Sequence, residues 1–174
     1  QAMFNEVFLD NVFVPSECLV GEVDGGWRLA RTTLANERVS MASGSAFGIG
    51  VESVIKLLNG RDVDQITLDQ TGHLVAEAQS LALLGMRSTM QVLAGGERGS
   101  ESSLRKLAAA EHEQRVQEFG IELLGGEGAT LAGDAYMWGM GFLATRCLTI
   151  AGGTSEVQRN VIAERLLGLP RDAG

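Results

Sequence analysis

Five consecutive residues near the end of the chain, Gly152 to Glu156, combine types that can hold an anion. The two glycines free a short turn of side chains, and Thr154 and Ser155 supply hydroxyls where a helix should begin. Glu156 adds a carboxylate in the first turn, where it offsets the positive end of the helix dipole. The N–H groups of such a turn can bind a phosphate. A well-capped final helix without a ligand explains the same spacing, so the pattern leaves both interpretations open.

A second glycine run, Gly125 to Gly128, follows a helical segment. It predicts a helix end and a turn. The run lacks the preceding strand and the spacing of a dinucleotide-binding fingerprint, so we reject a nucleotide-binding α/β fold.

The titratable residues on the helical segments predict structural roles. His73 stands alone among apolar residues, which favours a surface or hydrogen-bonded structural role over catalysis. Glu111, Glu113 and Glu118 form an acidic run on the segment that also carries His112, and such a run predicts a solvated helix face.

Long apolar-periodic segments position these residues, and they favour a helical bundle because only two prolines occur and both lie outside the segments. β-Branched and aromatic residues from Phe4 to Val14 predict a pair of short strands instead. The predicted helices span Trp27–Leu58, Ile66–Leu93, Leu104–Leu124 and Asp134–Cys147, and a last helix begins at Thr154 and Ser155, with apolar residues at helical spacing from Val157. The predicted fold class is therefore all-α: an up-down four-helix bundle with a short fifth C-terminal helix, preceded by a short β-strand pair.

Composition excludes several classes of protein. The net charge is −8 and no basic stripe occurs, which argues against a nucleic-acid partner. Cys18 and Cys147 supply neither a disulfide framework nor a metal-ligand cluster, so we expect no metal and a reducing cytoplasm. No apolar run is long enough to span a membrane, and we expect a cytoplasmic protein. The start at Gln1, directly before strand-like sequence, predicts that further chain precedes it.

Five stretches along nearly the whole chain, in order, resemble the C-terminal part of the acyl-CoA dehydrogenase family, flavoproteins that oxidise acyl-CoA thioesters. They are Phe4-Asn-Glu-Val-Phe with Val14-Pro15 and Gly26-Trp27, then Leu34-Ala-Asn-Glu-Arg38, Leu123-Leu-Gly-Gly-Glu-Gly128, Gly153-Thr-Ser-Glu-Val-Gln-Arg159 and Glu164-Arg-Leu-Leu-Gly-Leu-Pro170. The resemblance implies that residues 1–24 are the end of a middle β-domain with its linker. Residues 25–174 would be the C-terminal helical bundle domain.

The resemblance also implies a function, the α,β-dehydrogenation of an acyl-CoA substrate with FAD as the cofactor. Thr154 and Glu156 would approach the nucleotide portion of FAD. Gly125 and Gly126 would let the FAD of a neighbouring subunit pass close to the backbone. The bundle would self-associate as a dimer or tetramer, or pair with a homologous partner subunit.

The position of the catalytic base follows from the same resemblance. Many members carry a glutamate two residues before the threonine of the last motif, where this chain has Gly152. A second branch places the base on the long first helix, where this chain has Glu37. Glu37 is therefore the expected catalytic base, and a surface salt bridge with Arg31 or Arg38 is the alternative role for it.

Two departures from the family pattern favour a different function. The segment Asn59–Gln65 lacks the Phe-Gly pair that follows an FAD-binding arginine in many members, and leaves only Arg61 as a substitute. Glu122 stands where a glutamine is common, and its negative charge suits a pyrophosphate poorly. The alternative is a non-catalytic assembly subunit that completes the FAD site of a partner in a heteromeric acyl-CoA dehydrogenase.

Overall fold

The computed structural model describes residues 5–41, 50–96, 100–133 and 135–171, except for the side chains of residues 34–41. Within these ranges the regular secondary structure is entirely helical, which confirms the all-α class. The α-helices are α1 Gly26–Met41, α2 Val51–Leu58, α3 Gln65–Leu93, α4 Glu101–Leu124, α5 Ala135–Thr145 and α6 Ser155–Val161. Short 3-10 helices cover Ser16–Cys18, Gly125–Ala129 and Arg146–Thr149, and a π-helical turn, Ile162–Leu166, follows α6.

The chain divides into two compact units, Gln1–Thr33 and Leu34–Gly174. In the first unit the described residues before Pro15 form neither a strand nor a helix, with a bend at Asp10 and Asn11, so the predicted strand pair is wrong for residues 5–14. The physical reason is a shortage of partners, because two strands alone are marginal in water. The apolar side chains that suggested strands are exposed instead, Phe8 to 86% and Phe13 to 84%.

The predicted continuous helix from Trp27 to Leu58 is also wrong. Gly50 has φ +71°, a left-handed conformation that a regular α-helix cannot include, and it is the N-cap of α2. The backbone therefore forms α1 and α2 as separate helices. Residues 42–49, which contain two of the glycines within this predicted helix, lie outside the described residues.

Helix α4 is the centre of the second unit, where it contacts α2, α3, α5 and α6. Helices α2, α3 and α5 contribute aliphatic or aromatic side chains to the core, as amphipathic helices do when they bury one face, whereas α6 buries Ser155 and Gln158. The buried core consists of Val51, Val54, Leu74, Ala78, Val116, Phe119, Leu124, Ala135 and Trp138. The predicted helices α3 and α4 are confirmed, with first residues one and three positions earlier than expected.

Close packing of α5 on α4 depends on a glycine. A Cβ atom at Gly120 would overlap the ring of Trp138, which is only 9% exposed. Any larger residue at position 120 would push α5 away, since protein interiors hold few voids that could absorb a shift.

The ends of the helices agree with the sequence signals. Gly125 has φ +57° and is the C-cap of α4, and Gly168 has φ +68° just after the last helical turn. Cys18 and Cys147 are free and exposed. Among the described residues no group of histidine, cysteine or carboxylate side chains could hold a metal ion. None of the helices in that part of the chain is both long and apolar enough to cross a membrane.

Candidate functional site

The turn before α6 is built from two glycines that other residues could not replace without strain. Gly152 has φ +67° and Gly153 has φ +102°, both in the region that disfavours a Cβ atom. Thr154 then takes an extended conformation as the N-cap of α6, and its hydroxyl accepts a hydrogen bond from the N–H of Val157 at 3.3 Å. The predicted capped helix start is confirmed.

Two side chains that we did not single out from the sequence hold this turn from inside the protein. The Nζ of Lys106, on α4, donates to the carbonyl oxygen of Gly153 at 2.7 Å. The Nε2 of Gln158, on α6, donates to the carbonyl oxygens of Gly152 at 3.0 Å and of Gly153 at 3.3 Å. Lys106 is 3% exposed and Gln158 is fully buried.

The sequence does contain a signal for Lys106. Counting back from the buried Val116 in steps of three and four residues reaches Glu113, Ala110 and Lys106, all on one helix face. A lysine at a core position of an amphipathic helix requires a buried partner, because an unpaired buried ammonium is strongly unfavourable. Helical spacing, applied to the charged residues of α4 as well as to the apolar ones, therefore indicates that Lys106 faces the core.

Glu156 lies on the outer side of the turn and is exposed. A hydrogen bond from its own backbone N–H, helped by one from the Thr154 side chain, lowers the pKa of its carboxyl. Arg159, with a guanidinium nitrogen at 3.9 Å, and Lys106 act in the same direction. Glu156 is therefore an ionised carboxylate at neutral pH and a weak base.

The second glycine turn, at the other end of α4, is exposed to solvent. Gly125 and Gly126 are exposed, and a Cβ atom added at either one would meet no atom within 4 Å. Just before the turn, the Nη1 of Arg61 donates to the carbonyl oxygen of Leu123 at 3.2 Å. Glu122 is exposed beside the turn. This backbone is accessible to a ligand or to another protein chain.

Two clefts flank the open turn. A polar cleft of about 420 Å³ is lined by Leu58, Arg61, Asp62, Val63, Asp64, Thr67 and Leu123. A mainly apolar cleft of about 400 Å³ is lined by Glu118, Ile121, Glu122, Gly128, Leu131, Gly139, Phe142 and Leu143. Arg61, the cation that could replace the family's arginine, thus borders a cleft next to Gly125.

The structure keeps the two predicted groups of cofactor-binding residues apart. Lys106, which bonds the turn at Gly153, and Gly125 stand near opposite ends of α4. Nineteen helical residues rise about 28 Å at 1.5 Å per residue. Within one chain, Thr154 and Glu156 therefore cannot contact the same small group as Gly125 and Gly126.

Glu37 lies within α1, as the resemblance requires, but its side chain is outside the described part of the chain. Its role as a base stays a prediction. Gly152 leaves position 152 without a carboxylate.

A buried polar cluster on α4 corrects the prediction of a solvated acidic face. His112 is fully buried and Glu113 is 9% exposed, whereas Glu111 and Glu118 keep partly exposed side chains. The Nδ1 of His112 lies 2.9 Å from Oε2 of Glu77 on α3. The Oε1 of Glu113 accepts from Gln117 at 2.8 Å.

The two carboxylates beside His112 have opposite pKa shifts. Burial raises the pKa of Glu113, and the hydrogen bond from Gln117 and the nearby His112 only partly oppose it. Burial also acts to raise the pKa of Glu77, but bonds from His112 and Arg115 outweigh it and lower the value. The prediction failed because helical spacing, and not the sign of the charges, decides which residues face the core. His73, by contrast, is exposed as predicted.

A sequence profile described as "Acyl-CoA dehydrogenase, C-terminal domain" matches residues 24–167. The chain belongs to the acyl-CoA dehydrogenase family. The predicted resemblance is thereby confirmed. Members of this family are oxidoreductases of lipid metabolism that generally use FAD.

Two curated relatives come from Mycobacterium tuberculosis. "Acyl-CoA dehydrogenase FadE34" is 49% identical over 170 residues, a match that covers 98% of this chain and 23% of the relative. "Acyl-CoA dehydrogenase IpdE1" is 33% identical over 179 residues, covering 99% of this chain and 46% of the relative. A solved structure described as "Tcur3481-Tcur3483 steroid ACAD" has a TM-score of 0.80 at 26% identity and covers 95% of this chain and 45% of that one. This acyl-CoA dehydrogenase domain thus spans less than half the length of the relatives it matches.

Proposed function

We propose that this chain is the C-terminal domain of a flavin-dependent acyl-CoA dehydrogenase that catalyses the α,β-dehydrogenation of an acyl-CoA thioester. Residues 1–24 would be the end of its middle β-domain. The observation that carries the proposal is the family match over residues 24–167 together with the turn before α6. The glycine conformations of that turn suit an anionic ligand, and so do the N–H groups of Gly153 and Thr154, which donate to no described residue.

The residues present fit an FAD molecule at two places. At one turn, the N–H groups of Gly153 and Thr154 donate to no other described residue, so they are available to a phosphate or ribose oxygen. At the other, Gly125 and Gly126 leave open space beside the backbone, with Arg61 as a nearby cation. Because α4 separates the two turns, each would contact a different FAD molecule. That separation favours an assembly of at least two subunits, each completing the cofactor site of its neighbour.

The reaction asks one chemical task of this domain, the removal of a proton from the α-carbon of the thioester. FAD, when bound, supplies the acceptor for the hydride that leaves the β-carbon. We assign the proton transfer to Glu37, since position 152 has no side chain and Glu156 is held in its ionised, weakly basic form. A base on α1 would need an apolar setting that raises its pKa toward the range of the substrate.

The decisive experiment compares two carboxylates in the full-length protein. Glu37→Gln keeps the shape of the side chain but removes the base, so kcat should fall by about 10²–10⁴-fold while FAD content and acyl-CoA binding persist. Glu17→Gln, at an exposed carboxylate on the short 3-10 helix Ser16–Cys18, is the control and should keep kcat within a few-fold of the original protein. Turnover is followed by flavin bleaching with straight-chain acyl-CoAs and with steroid side-chain acyl-CoAs, since a solved relative is described as a steroid ACAD.

A second function, that of an assembly subunit, is favoured by one observation. Glu122 places an exposed negative charge beside the open turn, where it would repel a pyrophosphate. A chain of this kind would pair with a homologous subunit and supply residues to the partner's FAD site without carrying out the chemistry. The solved relative is named as a pair of proteins, which fits such a pairing. Normal turnover in Glu37→Gln, with flavin bound to only one of two unlike subunits, would establish this function and refute the first.

A further inference from the structure

Two buried side chains, Lys106 and Gln158, donate hydrogen bonds to the inner side of the Gly152–Gly153 turn. Lys106 and Gln158 together make three hydrogen bonds to the carbonyl oxygens of Gly152 and Gly153, between 2.7 and 3.3 Å long. The donors come from different helices, α4 and α6, so the turn is fixed to both.

Hydrogen bonds to the carbonyl oxygens restrict the backbone more at glycine residues than at other residues, because glycine has more accessible conformations. With no Cβ atom, Gly152 and Gly153 can rotate their peptide planes between conformations that are close in energy. A carbonyl that bonds a buried ammonium cannot rotate away without removing one hydrogen bond from that charge in the interior, which is unfavourable. Lys106 is only 3% exposed, so water cannot readily replace the lost bond.

The direction of the carbonyls sets the direction of the N–H groups. In a trans peptide the N–H points opposite to the C=O, and none of the described peptides is cis. The N–H of Gly153 and that of Thr154 therefore point away from Lys106 and Gln158. Neither donates to another described residue, and all three residues of the turn are partly accessible.

We propose that Lys106 and Gln158 are positioning residues for cofactor binding: they hold the Gly152–Gly153 carbonyls inward so that the N–H groups of Gly153 and Thr154 face an anionic oxygen of FAD. The inference rests on the proposed function. Lys106 contributes through its charge as well, because a buried cation beneath the turn adds a positive potential that attracts the anion. Neither side chain touches the cofactor.

The test uses the full-length protein and two substitutions that keep side-chain length but remove the donors, Lys106→Met and Gln158→Met. The matched control is Lys56→Met, because Lys56 is the other lysine of the chain and lies exposed on α2. Lys106→Arg keeps the cation. Three quantities are measured for each variant: the dissociation constant for FAD added to the apoprotein, hydrogen exchange of the Val157 and Gln158 amides, and thermal unfolding. Those amides bond to the side chain and the carbonyl of Thr154, so they report directly on the turn.

We expect Lys106→Met to raise the FAD dissociation constant at least about tenfold and to speed exchange at Val157 and Gln158. Gln158→Met should act in the same direction, Lys106→Arg should recover part of the affinity, and Lys56→Met should change neither quantity. Unchanged FAD affinity in both donor variants, even with a lowered unfolding temperature, would mean that Lys106 and Gln158 only stabilise the fold, and the inference would be wrong. If the original protein itself binds no FAD, the proposed function fails instead. If neither donor variant folds, an unchanged FAD affinity in Lys106→Arg together with faster exchange at the two amides would also overturn the inference.

Discussion

The two glycine turns of this domain look alike in sequence and differ in how they are built. At Gly152–Gly153 both residues have positive φ angles, and both carbonyl oxygens are bonded by buried side chains. At Gly125–Gly126 only Gly125 has a positive φ angle, and a Cβ atom added at either residue would meet no atom within 4 Å. In the first turn glycine is needed for the conformation of the backbone. In the second, the absence of side chains leaves a surface that another molecule can approach.

Helix α4 explains why one chain contains both kinds of turn. Lys106, near its start, bonds the first turn, and its last residue, Leu124, leads directly into the second. A ligand that contacts the first turn meets a backbone fixed by the core, whereas the second turn depends on what packs on it from outside. We therefore expect substitutions at the first turn to change the stability of the domain itself, and those at the second to change assembly and cofactor retention.

The largest effect is expected for Gly153→Ala. The new Cβ atom would lie 2.5 Å from Nε2 of Gln158, in a backbone conformation with φ +102°. We expect the free energy of unfolding to fall by about 1–3 kcal/mol and FAD affinity to fall with it, measured by chemical denaturation and by FAD titration. Gly72→Ala on the exposed side of α3 is the control and should not destabilise the domain, since nothing lies within 4 Å of its new Cβ atom. If Gly153→Ala were as stable as Gly72→Ala, the conformation of the turn before α6 would not require glycine, and this difference between the two turns would be wrong.

An intermediate effect is expected for Glu113→Gln. This variant tests whether a buried charge on α4, between the two turns, affects the stability of the domain when both turns are left unchanged. Burial raises the pKa of Glu113 above its ordinary value of 4.5, so its stabilising contribution is complete below that value and is lost as the pH rises through the folded-state pKa. Glutamine should therefore stabilise the domain at pH 8 by about 1 kcal/mol, and the gain should vanish near pH 4. Thermal unfolding across this pH range measures it.

Glu77→Gln provides the contrast for that measurement. The pKa of Glu77 is lowered, so its contribution is present above the ordinary value of 4.5 and is lost as the pH falls through the folded-state pKa. This variant should be destabilised at pH 8 and approach the original protein in acid. The same pH dependence in both variants would contradict the opposite pKa shifts. FAD affinity unchanged by Glu113→Gln would show that the charge at position 113 does not control cofactor binding.

The smallest effect on stability is expected for Gly126→Ala. A Cβ atom there meets nothing within 4 Å, and the φ angle of Gly126 is not positive, so the unfolding free energy should change by less than about 0.5 kcal/mol. If the FAD of a neighbouring subunit passes this backbone, flavin per chain should nevertheless fall after gel filtration of the full-length assembly. A full complement of flavin at the original oligomeric state would show that this surface does not contact the cofactor.

Much of the fold follows from the sequence because apolar spacing and capping residues act locally. The limits of α3 and α4, the threonine cap of α6 and the glycine end of α4 are of this kind. The strand pair near Asp10 was predicted from β-branched and aromatic residues, but strands depend on partners that these residues do not supply. The predicted first helix continued through Gly50, but the left-handed backbone of this residue interrupts it. The sequence did not indicate this interruption, because the φ angle of a glycine is set by tertiary packing as much as by residue type.

The site was harder to predict than the fold. Thr154 and Glu156 carry recognisable local signals, whereas Lys106 and Gln158 act on a turn that is 47 residues away from the lysine along the chain. Only the helical spacing of Lys106 could have shown that it faces the core, and it would not have shown which carbonyl it meets. The burial of His112 and Glu113 was missed because we did not apply helical spacing to the charged residues of α4.

The contact between Gly120 and Trp138 also gives this domain an internal optical probe. The chain has two tryptophans, and they differ sharply in surroundings: Trp27 is 73% exposed and Trp138 is 9% exposed. A water-soluble quencher such as iodide should therefore reach the indole of Trp27 and leave the fluorescence of Trp138 nearly intact. The unquenched emission then comes from the α4–α5 contact alone, so its change of wavelength follows the separation of these two helices independently of the N-terminal segment.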